Sequence, residues 1–245
     1  IAICGKYNSL HDAYKSIVEA FIHAGIAKSS KVEVKWVDTE KIDTVESASK
    51  ELAGVDGVLI PGGFGNRGIE GKILSSIYAR ENSVPFFGIC LGLQCAVIDF
   101  ARNECGMKGA NSSEFDDKTK YPVIDIMSSQ KNIKKKGATM RLGSYGCNLI
   151  GKSKAYESYG KRKINERHRH RFEVNNKYRS KLEAKGLIVS GTNKELNLVE
   201  IVEIKSHPWF VATQFHPELK SRVVNAHPLF KSFVGACIKQ KYGYL

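Results

Sequence analysis

The chain has 245 residues with 42% hydrophobic content, enough to bury an ordinary packed core. Its longest apolar runs, residues 55–60 and 84–89, fall far short of the roughly 20 residues that cross a bilayer, so no membrane span is expected. A net charge of +13 asks for an anionic partner, but the excess is scattered over Lys134–Lys136 and over Lys152, Lys154, Lys161, Arg162 and Lys163 with no interleaved aromatics. A solvated basic surface, or a face for a nucleotide or an acidic partner domain, fits this better than a nucleic-acid site.

Ile1 to Gly5 reads as a strand rather than a signal peptide, and the lack of Met at position 1 reads as a trimmed chain. A helix follows over 12–24, with Ala13, Ile17, Ala20, Phe21 and Ala24 on one face. Strands are expected at 31–37, 55–60 and 84–89, with helices at 69–81 and 91–103. Residues 108–159 read as loops and short antiparallel strands. Beyond them come an alternating segment at 166–174, a helix at 177–185, strands at 187–190, 198–204 and 210–215, and a closing helix at 229–241. This rhythm predicts an α/β fold, an open doubly wound, mostly parallel sheet with flanking helices and a small antiparallel extension. No linker or repeat divides the chain, so residues 1–245 are expected to form a single domain. The six cysteines form no CxxC pair and no regular framework, which points to a reducing, cytoplasmic compartment.

In Phe86-Phe87-Gly88-Ile89-Cys90-Leu91-Gly92 an apolar run ends at a cysteine flanked two residues away on each side by glycine. A nucleophile on a sharp strand-to-helix turn needs such small neighbours, and the following helix N-terminus stabilises a thiolate. A buried structural cysteine accounts for the heptad equally well. A nucleophile needs a base and a group to orient it, and His216-Pro217-Glu218 supplies both. The residue before proline favours extended geometry, which would turn His216 and Glu218 to one side. Gly62-Gly63 after a strand permits close backbone approach, so the N–H groups of Gly63 and Leu91 are candidate oxyanion donors. The same turn matches no phosphate-binding glycine motif.

In Glu166 to Glu173, alternation places Arg167, Arg169 and Arg171 on one face and His168, His170 and Phe172 on the other. The arginine face suits a carboxylate. Two histidines in a cationic stretch suit a divalent metal poorly, so no metal site is expected. His11, His23, His207 and His227 read as surface or capping residues.

Together these segments resemble the class I glutamine amidotransferases, and within them the glutaminase domains of the CTP synthase family. The generic signature is the glycine-rich turn, the cysteine elbow and His-Pro-Glu. The narrower likeness rests on Gly5-Lys6-Tyr7 with Asp12-Ala13-Tyr14, on Pro61 through Lys72, on Asn111 through Phe115, on Thr139 through Gly143, and on Glu166 through Asn175. The resemblance implies hydrolysis of L-glutamine through a thioester on Cys90, with His216 as base and Glu218 as its orienter. It implies glutamine contacts from Gly63, Leu91, Gly92, Leu93, Gln94, Glu114 and Arg171, with Glu114 facing the substrate ammonium and Arg171 its carboxylate. It implies a lid near Phe64, Arg67 and Gly68 that answers to GTP.

No cofactor is expected in the chain itself. The full-length enzyme is expected to use ATP and Mg to aminate UTP in an N-terminal synthetase domain that the chain lacks, and to assemble as a homotetramer. The lysine-rich Lys131 to Gly137 insert and the segment from Ile150 to Lys163 match no pattern in the family. Other readings are a different cysteine hydrolase, acting on γ-glutamyl peptides but not glutamine, and a non-catalytic basic binding module.

Overall fold

The computed structural model describes residues 1–6, 11–126 and 140–243. Tyr7, the lysine-rich insert and Thr139 lie outside the described residues. The first half alternates β1 (Ala2–Gly5), α1 (Lys15–Ala27), β2 (Lys35–Asp38), α2 (Val45–Leu52), β3 (Val58–Ile60), α3 (Ile69–Glu81), β4 (Phe86–Ile89) and α4 (Leu91–Asn103). The second half contributes β5 (Asn111–Ser112), β6 (Pro122–Ile126), β7 (Arg141–Leu149), α5 (Lys154–Tyr159), β8 (Lys163–His170) and β9 (Phe172–Val174). It continues through α6 (Asn176–Glu183), β10 (Leu187–Asn193), β11 (Leu198–Ile204), β12 (Phe210–Thr213) and α7 (Pro228–Tyr242).

Nine strands form one sheet in the order β2-β1-β3-β4-β12-β11-β10-β7-β8. The five from β2 to β12 run parallel, and β11, β10, β7 and β8 extend the sheet in antiparallel pairing. A separate small sheet has β6 at its centre, parallel to β5 and antiparallel to β9. Side chains of the parallel strands alternate between two cores. Ala2, Cys4, Val58, Ile60, Phe86 and Phe210 face the layer of α2, α3, α4 and α6. Ile3, Leu59, Phe87, Ile89 and Val211 face α1, α5 and α7. On that second face Phe87, Trp209, Phe230 and Phe233 pack ring against ring at 5.2–5.6 Å. Each such fully buried phenylalanine stabilises the fold by on the order of 1.5–3 kcal/mol.

Four elements differ from the sequence expectation. The strand expected at 31–37 pairs only over Lys35–Asp38, because β1 is four residues long and its register runs from Ala2–Lys35 to Gly5–Asp38. Helix α2 is not legible from a hydrophobic pattern because it buries only Ala48 and Leu52; its start is set by a capping box between Thr44 and Ser47. Helix α5 occupies part of the segment that matched no pattern, capped by the Ser153 hydroxyl and ended by Gly160 at φ 66°. The alternating segment at 166–174 is two strands, β8 in the large sheet and β9 in the small one, parted at Arg171.

Candidate active site

Strand β4 ends at Ile89 and α4 begins at Leu91, so the turn between them is Cys90 alone. Cys90 takes φ 54° and ψ −100°, a conformation that costs a non-glycine residue about 1–3 kcal/mol. Its N–H is held by the Thr213 carbonyl at 2.7 Å, and its carbonyl accepts from the Gln94 N–H at 3.3 Å. The flanking glycines are sterically required. A Cβ at Gly88 would come within 2.8 Å of the Gly92 backbone, and one at Gly92 would overlap the Ile60 carbonyl oxygen. A Cβ at Gly62 would lie 2.8 Å from His216 Cε1 and 3.5 Å from Cys90 Cβ, which places the three residues together.

His216 Nδ1 is 2.7 Å from Glu218 Oε1. The geometry is not the extended one predicted: Pro217 to Lys220 form a 3-10 turn, and the chain curls Glu218 back onto the ring. The other ring nitrogen, Nε2, is buried without a hydrogen-bond partner. Burial pulls the imidazole pKa down, but the Cys90 thiol and the Glu218 carboxylate outweigh burial and hold it well above the ordinary value. Sequence reasoning missed Gln214, fully buried, whose Nε2 donates to Cys90 Sγ at 3.7 Å. Its place next to Phe215-His216 was the available signal.

A cavity of about 450 Å³ opens on Cys90, bordered by Gly63, Phe64, Gln94, Glu114 and Arg171. A second, of about 230 Å³, lies across Phe64 and takes in Gly62, Cys90, His216 and Glu218. The larger 920 Å³ hollow near Ile1 and α7 contains none of these residues. Burial raises the Glu114 carboxyl pKa, against the pull of the Gly65 N–H and of Arg171 and Lys6. Arg171 Nε is buried without a partner, a donor still to be used. Glu114 and Arg171 thus set opposite charges on one cavity. Gln94 Nε2 donates to the Phe172 carbonyl at 3.2 Å, tying α4 to the start of β9.

Leu91 approaches Gly63, its Cδ2 standing 3.4 Å from where a Cβ on Gly63 would be. As the first residue of α4, Leu91 has an N–H that no helix carbonyl can satisfy. Gly92 and Leu93 do not border the cavity: Gly92 is packed on Ile60 and Leu93 is buried in the core. Arg167 is exposed, and the Arg169 guanidinium stands over the Phe64 ring at 6.0 Å, leaving Arg171 as the arginine of that face which reaches the cavity. Phe64 is 48% exposed. The loop it begins is tied by Lys6 Nζ to the Phe64 carbonyl and by the Gly65 N–H to Glu114. Arg67 is largely exposed, 3.6 Å from Glu40. Gly68 caps α3 at φ 68°, where a Cβ would press on Thr39.

His168 and His170 bond each other at 2.9 Å inside the fold. Among the described residues no cluster of three or more histidine, cysteine or acidic side chains is arranged to hold a metal. Of the remaining histidines, His207 departs from expectation, buried between the Ala79 carbonyl and the Trp209 N–H. His227 caps α7 through the Leu229 N–H, and His23 bonds Ser221 at 3.0 Å. The His11 side chain lies outside the described residues.

The model of the glutamine amidotransferase class-I family matches residues 9–236. The chain is 56% identical over 241 residues to the CTP synthase of Caldanaerobacter subterraneus subsp. tengcongensis, and 57% identical over 240 residues to that of Chloroherpeton thalassium. These matches take in 98% of the chain but only 45% and 43% of the two relatives, so the chain spans less than half their length. Among solved structures, the glutaminase domain of Trypanosoma brucei CTPS with bound acivicin superposes with a TM-score of 0.92 at 38% identity, covering 98% of this chain and 94% of that one. A GMP synthase protein from Thermoplasma acidophilum, at 18% identity and a TM-score of 0.60 over 98% of this chain and 96% of that one, shares the fold. The chain belongs to the class I glutamine amidotransferases, as a glutaminase domain of the CTP synthase type.

Proposed function

We propose that the chain hydrolyses L-glutamine to glutamate and ammonia through a γ-glutamyl thioester on Cys90. The observation that carries this reading is the meeting of a strained Cys90 and the His216–Glu218 pair with a cavity that opposes Glu114 to Arg171. A free amino acid presents an ammonium to Glu114 and a carboxylate to Arg171, which leaves its side-chain amide directed at Cys90. The Cys90 sulfur attacks the amide carbon, and the Gly63 and Leu91 N–H groups receive the negative charge that gathers on oxygen. His216, protonated and oriented by Glu218, gives its proton to the departing ammonia; it then takes one from the water that cleaves the thioester. Gln94 holds the Phe172 carbonyl and lines the substrate's path. Gly92 and Leu93 contribute the backbone of the first helical turn.

In the whole protein, ammonia passes to the synthetase part, expected N-terminal to this single glutaminase domain, which aminates UTP to CTP with ATP and Mg. The protein works in the cytoplasm as a homotetramer. GTP activates it from the loop of Phe64, Arg67 and Gly68, where a half-exposed ring and an exposed guanidinium offer stacking and charge to a guanine nucleotide.

Ammonia release from glutamine, measured on the chain alone, tests the reading. Cys90→Ala is expected to keep the fold and lose all release above background, and retained release would remove Cys90 from the mechanism.

A further inference from the structure

Beneath the substrate cavity lies a buried polar cluster that the proposed chemistry leaves unused. Arg141 donates to Glu173 at 3.0 Å and to Glu200 at 2.9 Å, with its guanidinium 4.4 Å from the centre of the Tyr145 ring. All three charged groups, together with His168 and His170, are at most 4% exposed. Two carboxyls therefore face one cation away from water, and burial raises both, Glu173 to about 8 and Glu200 to about 7, so that near neutrality the pair holds a proton. The histidines are neutral: burial, then the charge of Arg141, lowers His168 to about 3, and burial with the neighbouring His168 carries His170 well below its ordinary value.

The position of that proton follows from the tautomers. His170 Nδ1 is 3.2 Å from the Phe172 carbonyl, which can only accept, so Nδ1 carries the hydrogen and Nε2 is a lone pair. His170 Nε2 is 2.9 Å from His168 Nδ1, which must then be the donor, and His168 Nε2 is left with a lone pair. That nitrogen is buried without a partner and lies 3.6 Å from Glu200 Oε2, which is also buried without a partner. Two acceptors facing each other in a dry interior call for a proton between them. Glu200 is the carboxyl whose free oxygen faces a lone pair.

The far end of this chain is the Phe172 carbonyl, which also receives Gln94 Nε2. Arg171 sits between the two anchored residues, in the one-residue break between β8 and β9. We propose that Glu200 is a positioning residue for the Arg171 site, a carboxylic acid whose donation to His168 completes a hydrogen-bond chain through His170 to the Phe172 carbonyl. The inference rests on the reading of Arg171 as the contact for the substrate carboxylate. The groups facing Glu200 are Arg141 and Cys147 from β7, His168 from β8 and Glu173 from β9, with His216 acting on His168 from beyond β12. The neighbouring strands β10 and β12 carry no charged residue.

Loss of the Glu200 proton at higher pH sets two lone pairs against each other, loosens the chain and weakens glutamine binding. Steady-state glutamine hydrolysis should show the wild-type KM rising roughly tenfold from about pH 6.5 to about pH 8.5, with kcat following the same profile as in Glu200→Gln. In Glu200→Gln the amide donates to His168 at every pH, so its KM should stay low and flat. Glu200→Leu should raise KM about tenfold even at the lower pH, with kcat within about twofold. If the leucine variant does not fold, the comparison of wild type with the near-isosteric glutamine variant decides. Parallel KM profiles in those two proteins would overturn the inference. Arg171→Met separates it from the reading beneath it: an unchanged KM there removes the carboxylate contact and this inference with it. A raised KM there, with parallel profiles in the other two, removes the inference alone.

Discussion

Cys90 carries a positive φ of 54° that no side-chain chemistry relieves, and the hydrogen bond from its N–H to Thr213 and the glycines around it hold it there. The strain places the sulfur at the end of β4, between two cavities and beside His216. The Glu218 carboxylate adds to the raised pKa of that imidazole, so Glu218→Gln should lower it and move the alkaline limb of the rate profile to lower pH. The same substitution is expected to reduce kcat at neutral pH by about a hundredfold or more with KM little changed, measured as ammonia release. Cys90, His216 and Glu218 were legible in the sequence because two short linear segments contain them. Glu200 was not, because its partner Arg141 is 59 residues away in the chain and their contact exists only once β7 and β11 are brought into one sheet.

The helices legible from periodicity, α3 and α4, bury broad apolar faces, whereas α2 and α5 are short and rest on caps that a hydrophobic pattern does not display. The break at Arg171 was equally hidden, since period-two alternation continues through it from β8 into β9. Its cause lies in tertiary pairing, β8 with β7 and β9 with β6, which pulls the two strands into different sheets. The turn between β4 and α4 gives a direct test of close packing. Gly92→Ala would drive a methyl into the Ile60 carbonyl, rigid backbone of β3, and is expected to destabilise the fold by about 1–3 kcal/mol in urea unfolding. Gly106→Ala is its counterpart away from the site: its Cβ meets nothing, so only the φ of 63° opposes it and the loss should be smaller.

The parallel half of the sheet brings the ends of β3, β4 and β12 to one edge, which is why residues as distant in sequence as Gly62, Cys90 and His216 share a site. The buried titratable groups also give the whole molecule a stability profile of definite sign. Glu173 and Glu200 are raised, so the folded chain binds extra protons and gains stability as pH falls from about 8. His216, also raised, adds stability that is complete below its unfolded pKa and lost as pH rises through its folded one. His168 and His170 are lowered, so below about pH 6.5 the unfolded chain takes up protons that the folded chain refuses, and stability falls again. The urea midpoint should therefore be higher at about pH 6 than at about pH 8, and an opposite order would mean that these groups are solvated. The cysteines allow the sharpest test of the chemistry, because all six are free and buried, and burial pushes five of them up, Cys4 and Cys95 to about 12. The decisive measurement is peptide mass spectrometry after exposure of the folded chain to a glutamine-derived electrophile. One stoichiometric adduct on Cys90, prevented by excess glutamine, is expected, whereas an adduct on another cysteine with Cys90 left free would contradict a thioester mechanism at this site.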